Sequence, residues 1–172
     1  MKLEGHRFHT IQSSDGRNTK AIPIQIGGFK ITAFDVKHDV PNVGYLIYHQ
    51  ECGTVLFITD THYCPFKFSN IVINQLIIEA NYSEAILSEN LENGAVNTKV
   101  FYRIKESHMS LETVQGMLRA NNITNVNNIV LIHLSSTNSD PELFQKTIVN
   151  QTGKSVHIAK KGLRIPFNIT PF

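Results

Sequence analysis

The sequence predicts a mixed α/β domain: a twisted, largely antiparallel sheet backed by helices on one face. Three observations carry this expectation. Short alternating or β-branched segments follow one another closely in the first half, as in hairpins. Amphipathic helical segments alternate with strands in the second half. Three apolar runs, at 55–58, 76–78 and 129–132, lack polar alternation, which predicts buried strands and an apolar outer sheet face. The 172 residues suffice for one domain, 1–172, with a hydrophobic core of its own.

Residues 1–20 are polar and aperiodic and end in the turn-forming stretch Ser13-Ser14-Asp15-Gly16-Arg17-Asn18. Ile22, Ile24 and Ile26 alternate with Pro23 and Gln25, a pattern for an edge strand because Pro cannot donate to a ladder. Gly27-Gly28 turns the chain into a second strand over 29–37, and a third covers 44–48. The runs at 55–58 and 76–78 are the fourth and fifth. Ser83 precedes a helix over 84–92 that Asn93-Gly94 closes. Ser110 caps a helix to about 120, with Leu111, Val114, Met117 and Leu118 on one face. The strand at 129–132 follows, then a helix opened by Asp140-Pro141-Glu142 and running to about 151. Two last short strands are expected at 155–159 and 163–167.

Sixteen basic against fourteen acidic side chains give a formal charge of +2, with 41% hydrophobic residues. That balance excludes an electrostatic nucleic-acid binder and a disordered chain. Cys52 and Cys64 form no disulfide framework and no C-x-x-C pair, which places the protein in a reducing, cytoplasmic compartment. No apolar stretch approaches the roughly twenty residues needed to cross a bilayer, and Met1-Lys2-Leu3-Glu4-Gly5-His6 lacks a signal peptide's apolar region.

Titratable residues recur where strands end. The strand at 29–37 runs into His38, 55–58 into Asp60, 76–78 into Glu79, and 129–132 into His133. The carboxyl ends of strands are where α/β sheets gather their ligand sites. Two His and two carboxylates there make the inventory of a metal site with an acid–base neighbour. His108, just before the Ser110 helix, is a fifth candidate. Any one such residue alone is better read as a turn or satisfied polar group, so the recurrence carries the argument. His49, His62 and His157 receive no role, although His62 stands two residues past Asp60, and His6 and His9 read as surface residues.

The same residues carry a resemblance. His38-Asp39-Val40-Pro41-Asn42-Val43-Gly44-Tyr45 resembles the third metal-binding motif of the metallo-β-lactamase superfamily, in the branch of tRNA 3′-processing endonucleases and exonuclease-like hydrolases. Phe57-Ile58-Thr59-Asp60-Thr61 is similar to the fourth motif, and Leu131-Ile132-His133-Leu134-Ser135 to the fifth. Leu76-Ile77-Ile78-Glu79-Ala80-Asn81 and Ser107-His108-Met109-Ser110 resemble that branch's acidic strand and His-x-Ser loop. All five stand in order over residues 29–135. The resemblance implies a metallo-β-lactamase-like αββα sandwich, truncated here to its C-terminal half. It also implies two zinc ions, with His38 on one, His133 on the other and Asp60 bridging, and a catalytic Glu79–His108 pair. In that pair the carboxylate orients an imidazole that protonates a leaving group. Ser110 and the helix behind it would offer donors to a phosphate.

One element of the family pattern is missing. The His-x-His-x-Asp-His string that supplies most of the metal ligands occurs nowhere in the sequence, and Gly5-His6-Arg7-Phe8-His9 has the wrong spacing and no Asp. A fragment, a gene begun at an internal Met and a split gene product all fit. The implied function is metal-dependent hydrolysis of a phosphodiester or nucleotide substrate, inactive until the N-terminal half or a homo-oligomer partner completes the site. An ester, lactone or thioester hydrolase of the same fold and a non-catalytic interaction module are the alternatives, and dependence on Glu79 separates the first of these from the phosphodiester reading.

Overall fold

The computed structural model describes residues 22–170. Seven strands form one sheet whose spatial order equals chain order. These are β1 (Ile24–Ile26), β2 (Phe29–Val36), β3 (Asn42–His49), β4 (Gly53–Ile58), β5 (Gln75–Glu79), β6 (Asn128–Ile132) and β7 (Ser155–Ile158). Strands β1 to β4 pair antiparallel through short turns. From β4 onward every pairing is parallel. The expected largely antiparallel sheet is therefore corrected to one divided at β4. The physical reason is in the connections: parallel neighbours need long crossovers, and the helical segments of the second half supply them. The apolar runs without alternation are these parallel strands.

Between β5 and β6 lie α1 (Glu84–Glu92), α2 (Thr98–Ser107) and α3 (Leu111–Ala120), and α4 (Pro141–Thr152) joins β6 to β7. The Ser110 side chain accepts from the Thr113 N–H at the start of α3. Asp140 Oδ1 accepts from the N–H groups of Glu142 and Leu143, with Pro141 preset at the first helical position. Gly153 ends α4 at φ 65°, a left-handed cap that costs a glycine little. Helix α2 is absent from the sequence reading. Asn97 caps it by accepting from Val100 N–H, and half-buried Phe101, Ile104 and Lys105 recur at helical spacing beside buried Ser107. The strand expected at 163–167 does not form. Leu163 N–H turns back onto Lys160 O, Pro166 brings no donor, and side-chain amides of Gln75 and Asn127 take the Asn168 carbonyl.

Leu56, Ile58, Leu76, Ile78, Ile129 and Leu131 share one sheet face and pack against Leu111, Val114 and Leu118 of α3 and Phe144 and Ile148 of α4. Each such side chain contributes about 1.5–3 kcal/mol through burial, so this layer fixes where the strand ends stand. On the opposite face Ile31, Val43, Tyr45, Ile47, Phe57 and Ile77 lie outside that core cluster and are half-buried. The apolar outer face expected from the sequence is present. No described helix is long and apolar enough to cross a membrane.

Candidate metal centre

Three neighbouring parallel strands deliver three functional side chains to one sheet edge. Chain leaving β4 reaches Asp60, β5 ends on Glu79, and chain leaving β6 reaches His133. His108 arrives differently, as the C-cap of α2. Its loop is fastened to the segment after β5, with Asn81 N–H donating to Met109 O at 2.8 Å and Leu111 N–H to Tyr82 O at 2.8 Å. One ligand atom from each of Asp60, Glu79, His108 and His133 lies within 4.8 Å of the others.

Glu79 is the foundation of the cluster, and it is fully buried. Its Oε1 lies 2.7 Å from His108 Nδ1 and 3.1 Å from His133 Nδ1, and its Oε2 accepts the Thr61 N–H at 3.1 Å. A carboxylate only accepts, so the His108 proton sits on Nδ1 and Nε2 is left to bind or exchange a second proton. The hydrogen bond to Glu79 raises the His108 pKa above its ordinary value; burial opposes this, and the negative charges of Glu79 and Asp60 reinforce it. His133 Nδ1 also stands 3.2 Å from Asp60 Oδ1. The His108 and His133 rings meet edge-on, perpendicular, with centroids 5.0 Å apart. Asp60 and His133 are each 44% exposed, so the buried carboxylate lies beneath two solvent-facing groups.

Asp60 at φ 50° and His133 at φ 57° are the non-glycine residues with positive φ among the described residues. Left-handed backbone costs an L-residue roughly 1–2 kcal/mol, and such residues concentrate at functional sites. The Asn42 side-chain amide donates to Thr59 O at 2.9 Å and to Asp60 O at 2.6 Å. The Asn81 side-chain amide donates to His133 O at 2.7 Å. Imidazole and carboxylate donors this close together, two of them on backbones held in a costly conformation, could hold a metal ion.

The structure brings Asp60, Glu79, His108 and His133 together and sets His38 beside them. The His38 ring is edge-on to His108 with centroids 6.4 Å apart, outside the four-residue group. Its Nδ1 lies against the Asp39 carboxylate and the Val40 N–H. His62 is not in the cluster; its backbone N–H donates to Lys37 O. His49 stacks on Phe29, and His157 lies against Ser155 and Asn128. His6 and His9 lie outside the described residues. Sequence reasoning assigned no role to Thr61, Asn42 or Asn81. They act on carboxylate or carbonyl oxygens 17 to 52 positions away, a separation that leaves no local pattern.

A sheet with a histidine–carboxylate cluster at its parallel-strand ends defines a class of fold, and solved structures identify which. No family model matches the sequence, and no curated protein does. The metallo-β-lactamase fold protein YhfI from Bacillus subtilis is similar at TM-score 0.58 and 20% identity, over 83% of this chain and 51% of that one. Unliganded yeast PDE1 is similar at TM-score 0.51 and 13% identity, over 81% and 46%. The short form of human tRNase Z matches at 0.45 and 15% identity, over 81% and 44%, too low to carry an argument. The chain thus has the metallo-β-lactamase fold and spans about half the length of the solved structures it matches.

Proposed function

We propose that residues 1–172 are one domain, the C-terminal part of a cytoplasmic metal-dependent hydrolase acting on phosphodiester or nucleotide substrates. The supporting observation is the Glu79–His108 pair, a buried carboxylate 2.7 Å from a partly exposed imidazole, set among Asp60 and His133. Two zinc ions, when bound, would polarise the substrate's oxygens and bring the pKa of a water close to neutrality. His38 and His133 would each hold one ion and Asp60 would serve both. Glu79 keeps the His108 proton on Nδ1 and orients Nε2 to protonate the leaving-group oxygen. An imidazole oriented by a carboxylate in this way suits a poor alkoxide leaving group such as a phosphodiester releases.

Three ligands divided between two ions give neither more than two from this chain, and metal affinity depends on a completed first shell. The remainder would come from a complementary half, or a second copy, laid over the apolar face of Ile31, Tyr45, Ile47 and Phe57. Zinc content after dialysis and hydrolysis of bis-(p-nitrophenyl) phosphate, with and without that half, test the proposal. The chain alone is expected to retain little zinc and to turn over no substrate, and both are expected to return with the complementary half. Near-stoichiometric zinc and turnover by the 172 residues alone, abolished by His133→Ala, refute the divided site. Turnover that survives Glu79→Gln refutes the phosphodiester assignment.

A further inference from the structure

We propose that Asn42 and Asn81 are positioning residues, whose side-chain amides hold the left-handed backbones of Asp60 and His133 and so aim both side chains into one cluster. The inference rests on reading that cluster as a metal centre. Both left-handed non-glycine residues among the described ones belong to the cluster, and each has its carbonyl captured by an asparagine amide.

The geometry at Asn42 is specific. In an extended strand successive carbonyls point to opposite sides, yet one amide donates to both Thr59 O, at 2.9 Å, and Asp60 O, at 2.6 Å. That is possible only if the chain turns at Asp60, which is what φ 50° accomplishes. Relaxed to extended backbone, Asp60 would carry its carboxylate away from His133 Nδ1, now 3.2 Å off.

Asn81 is buried and fastened on three sides. Its N–H donates to Met109 O, its carbonyl accepts from Ser135 N–H, and its amide donates to His133 O. One residue, two positions beyond Glu79, therefore ties the loop carrying His108 to the loop carrying His133. Neither asparagine offers an atom to the four-residue group, so both act through the residues they hold.

Asn42→Asp and Asn81→Asp keep each side chain's shape and replace the donating amide with an oxygen that repels the carbonyl. Asn127→Asp is the control, because Asn127 Nδ2 bridges Asn168 O and Ile169 O, both at 2.9 Å, at the other end of β6. Two readouts are taken on the full chain. Backbone couplings of the metal-free protein report φ at positions 60 and 133, and a zinc titration followed by the His133 ring resonances reports affinity. Asn42→Asp is expected to abolish the left-handed signature at Asp60, and Asn81→Asp that at His133. Each is expected to weaken zinc binding about 10–100-fold, the usual scale for losing support behind a ligand, while Asn127→Asp changes neither readout.

Left-handed couplings and affinity that persist in both variants overturn the proposal, as does an equal loss in Asn127→Asp. If Asn81→Asp does not fold, Asn81→Ser and Asn42→Asp carry the same comparison. A wild-type chain that takes up no zinc even when complemented refutes the metal centre instead, and the couplings then still decide whether the amides hold the two backbones.

Discussion

Replacing Glu79 with glutamine tests the foundation of the site while keeping its shape. The carboxylate presents two acceptor oxygens in opposite directions, one toward His108 and His133 and the other toward the Thr61 N–H. Glutamine has one acceptor. With its oxygen toward the histidines, its NH2 confronts the Thr61 N–H, and a buried donor is left without a partner. With its oxygen toward Thr61, its NH2 faces His108 Nδ1, which must then shed its proton and accept. One buried donor without its partner costs about 1–3 kcal/mol. At this chain length that corresponds to roughly 2–12 °C in melting temperature. Glu79→Ala removes both acceptors at once and is expected to cost more than Glu79→Gln, at about 1–3 kcal/mol for each buried donor left without a partner. Urea unfolding of the metal-free protein measures the loss, and the ring 15N shifts of His108 report which nitrogen carries the proton. If Glu79→Gln stays within about 0.5 kcal/mol of wild type, the scale of an ordinary surface change, and His108 keeps its tautomer, the carboxylate does not organise the cluster.

Tyr82 supplies a pH dependence away from the centre. Burial, with Glu84 and Glu112 nearby, raises its phenol pKa far above the ordinary value. The folded phenol stays protonated where the unfolded chain ionises, so its contribution is complete below about pH 10 and falls as pH rises beyond that. Tyr82→Phe is expected to flatten the decline in urea stability between pH 9 and 11, and parallel profiles would contradict the assignment. Gly44 permits a close approach, since a Cβ there would stand 2.5 Å from the Phe34 ring. Phe34 is itself buried against Phe66 and Phe68. Gly44→Ala is expected to destabilise by about 1–3 kcal/mol through overpacking, with partial recovery in Gly44→Ala/Phe34→Leu; an unchanged unfolding midpoint refutes the contact.

The strands were legible wherever a residue pattern reached the core. Runs such as Val55-Leu56-Phe57-Ile58 and Ile129-Val130-Leu131-Ile132 have one reading as buried strands, and each points its terminal residue at the sheet edge. Strand direction was less legible, because β-branched apolar runs look alike whether their partner is parallel or antiparallel. Helix α2 was less legible because its inward stripe is short and mixed with polar residues, Phe101 and Ile104 lying beside Lys105 and Ser107. In the site, Asp60, Glu79, His108 and His133 are titratable residues at element ends, which sequence displays directly. The backbone conformation at Asp60 and His133 is not displayed at all. Neither residue is glycine, and what holds them comes from Asn42 and Asn81, distant in sequence and given no role of their own by any local pattern.

The change of strand direction at β4 divides assembly of the chain into a fast part and a slow one. Strands β1 to β4 are joined by tight turns, and hairpins of this kind close in about 1–10 μs. Pairing β5 with β6 must wait until residues 80–127 have formed three helices and folded back, a closure with a high entropic barrier. Asp60 belongs to the quick part, whereas Glu79, His108 and His133 belong to the late one. The cluster is therefore expected to form only once that closure is complete. An ion held by groups absent from the transition state slows unfolding and leaves the folding rate untouched.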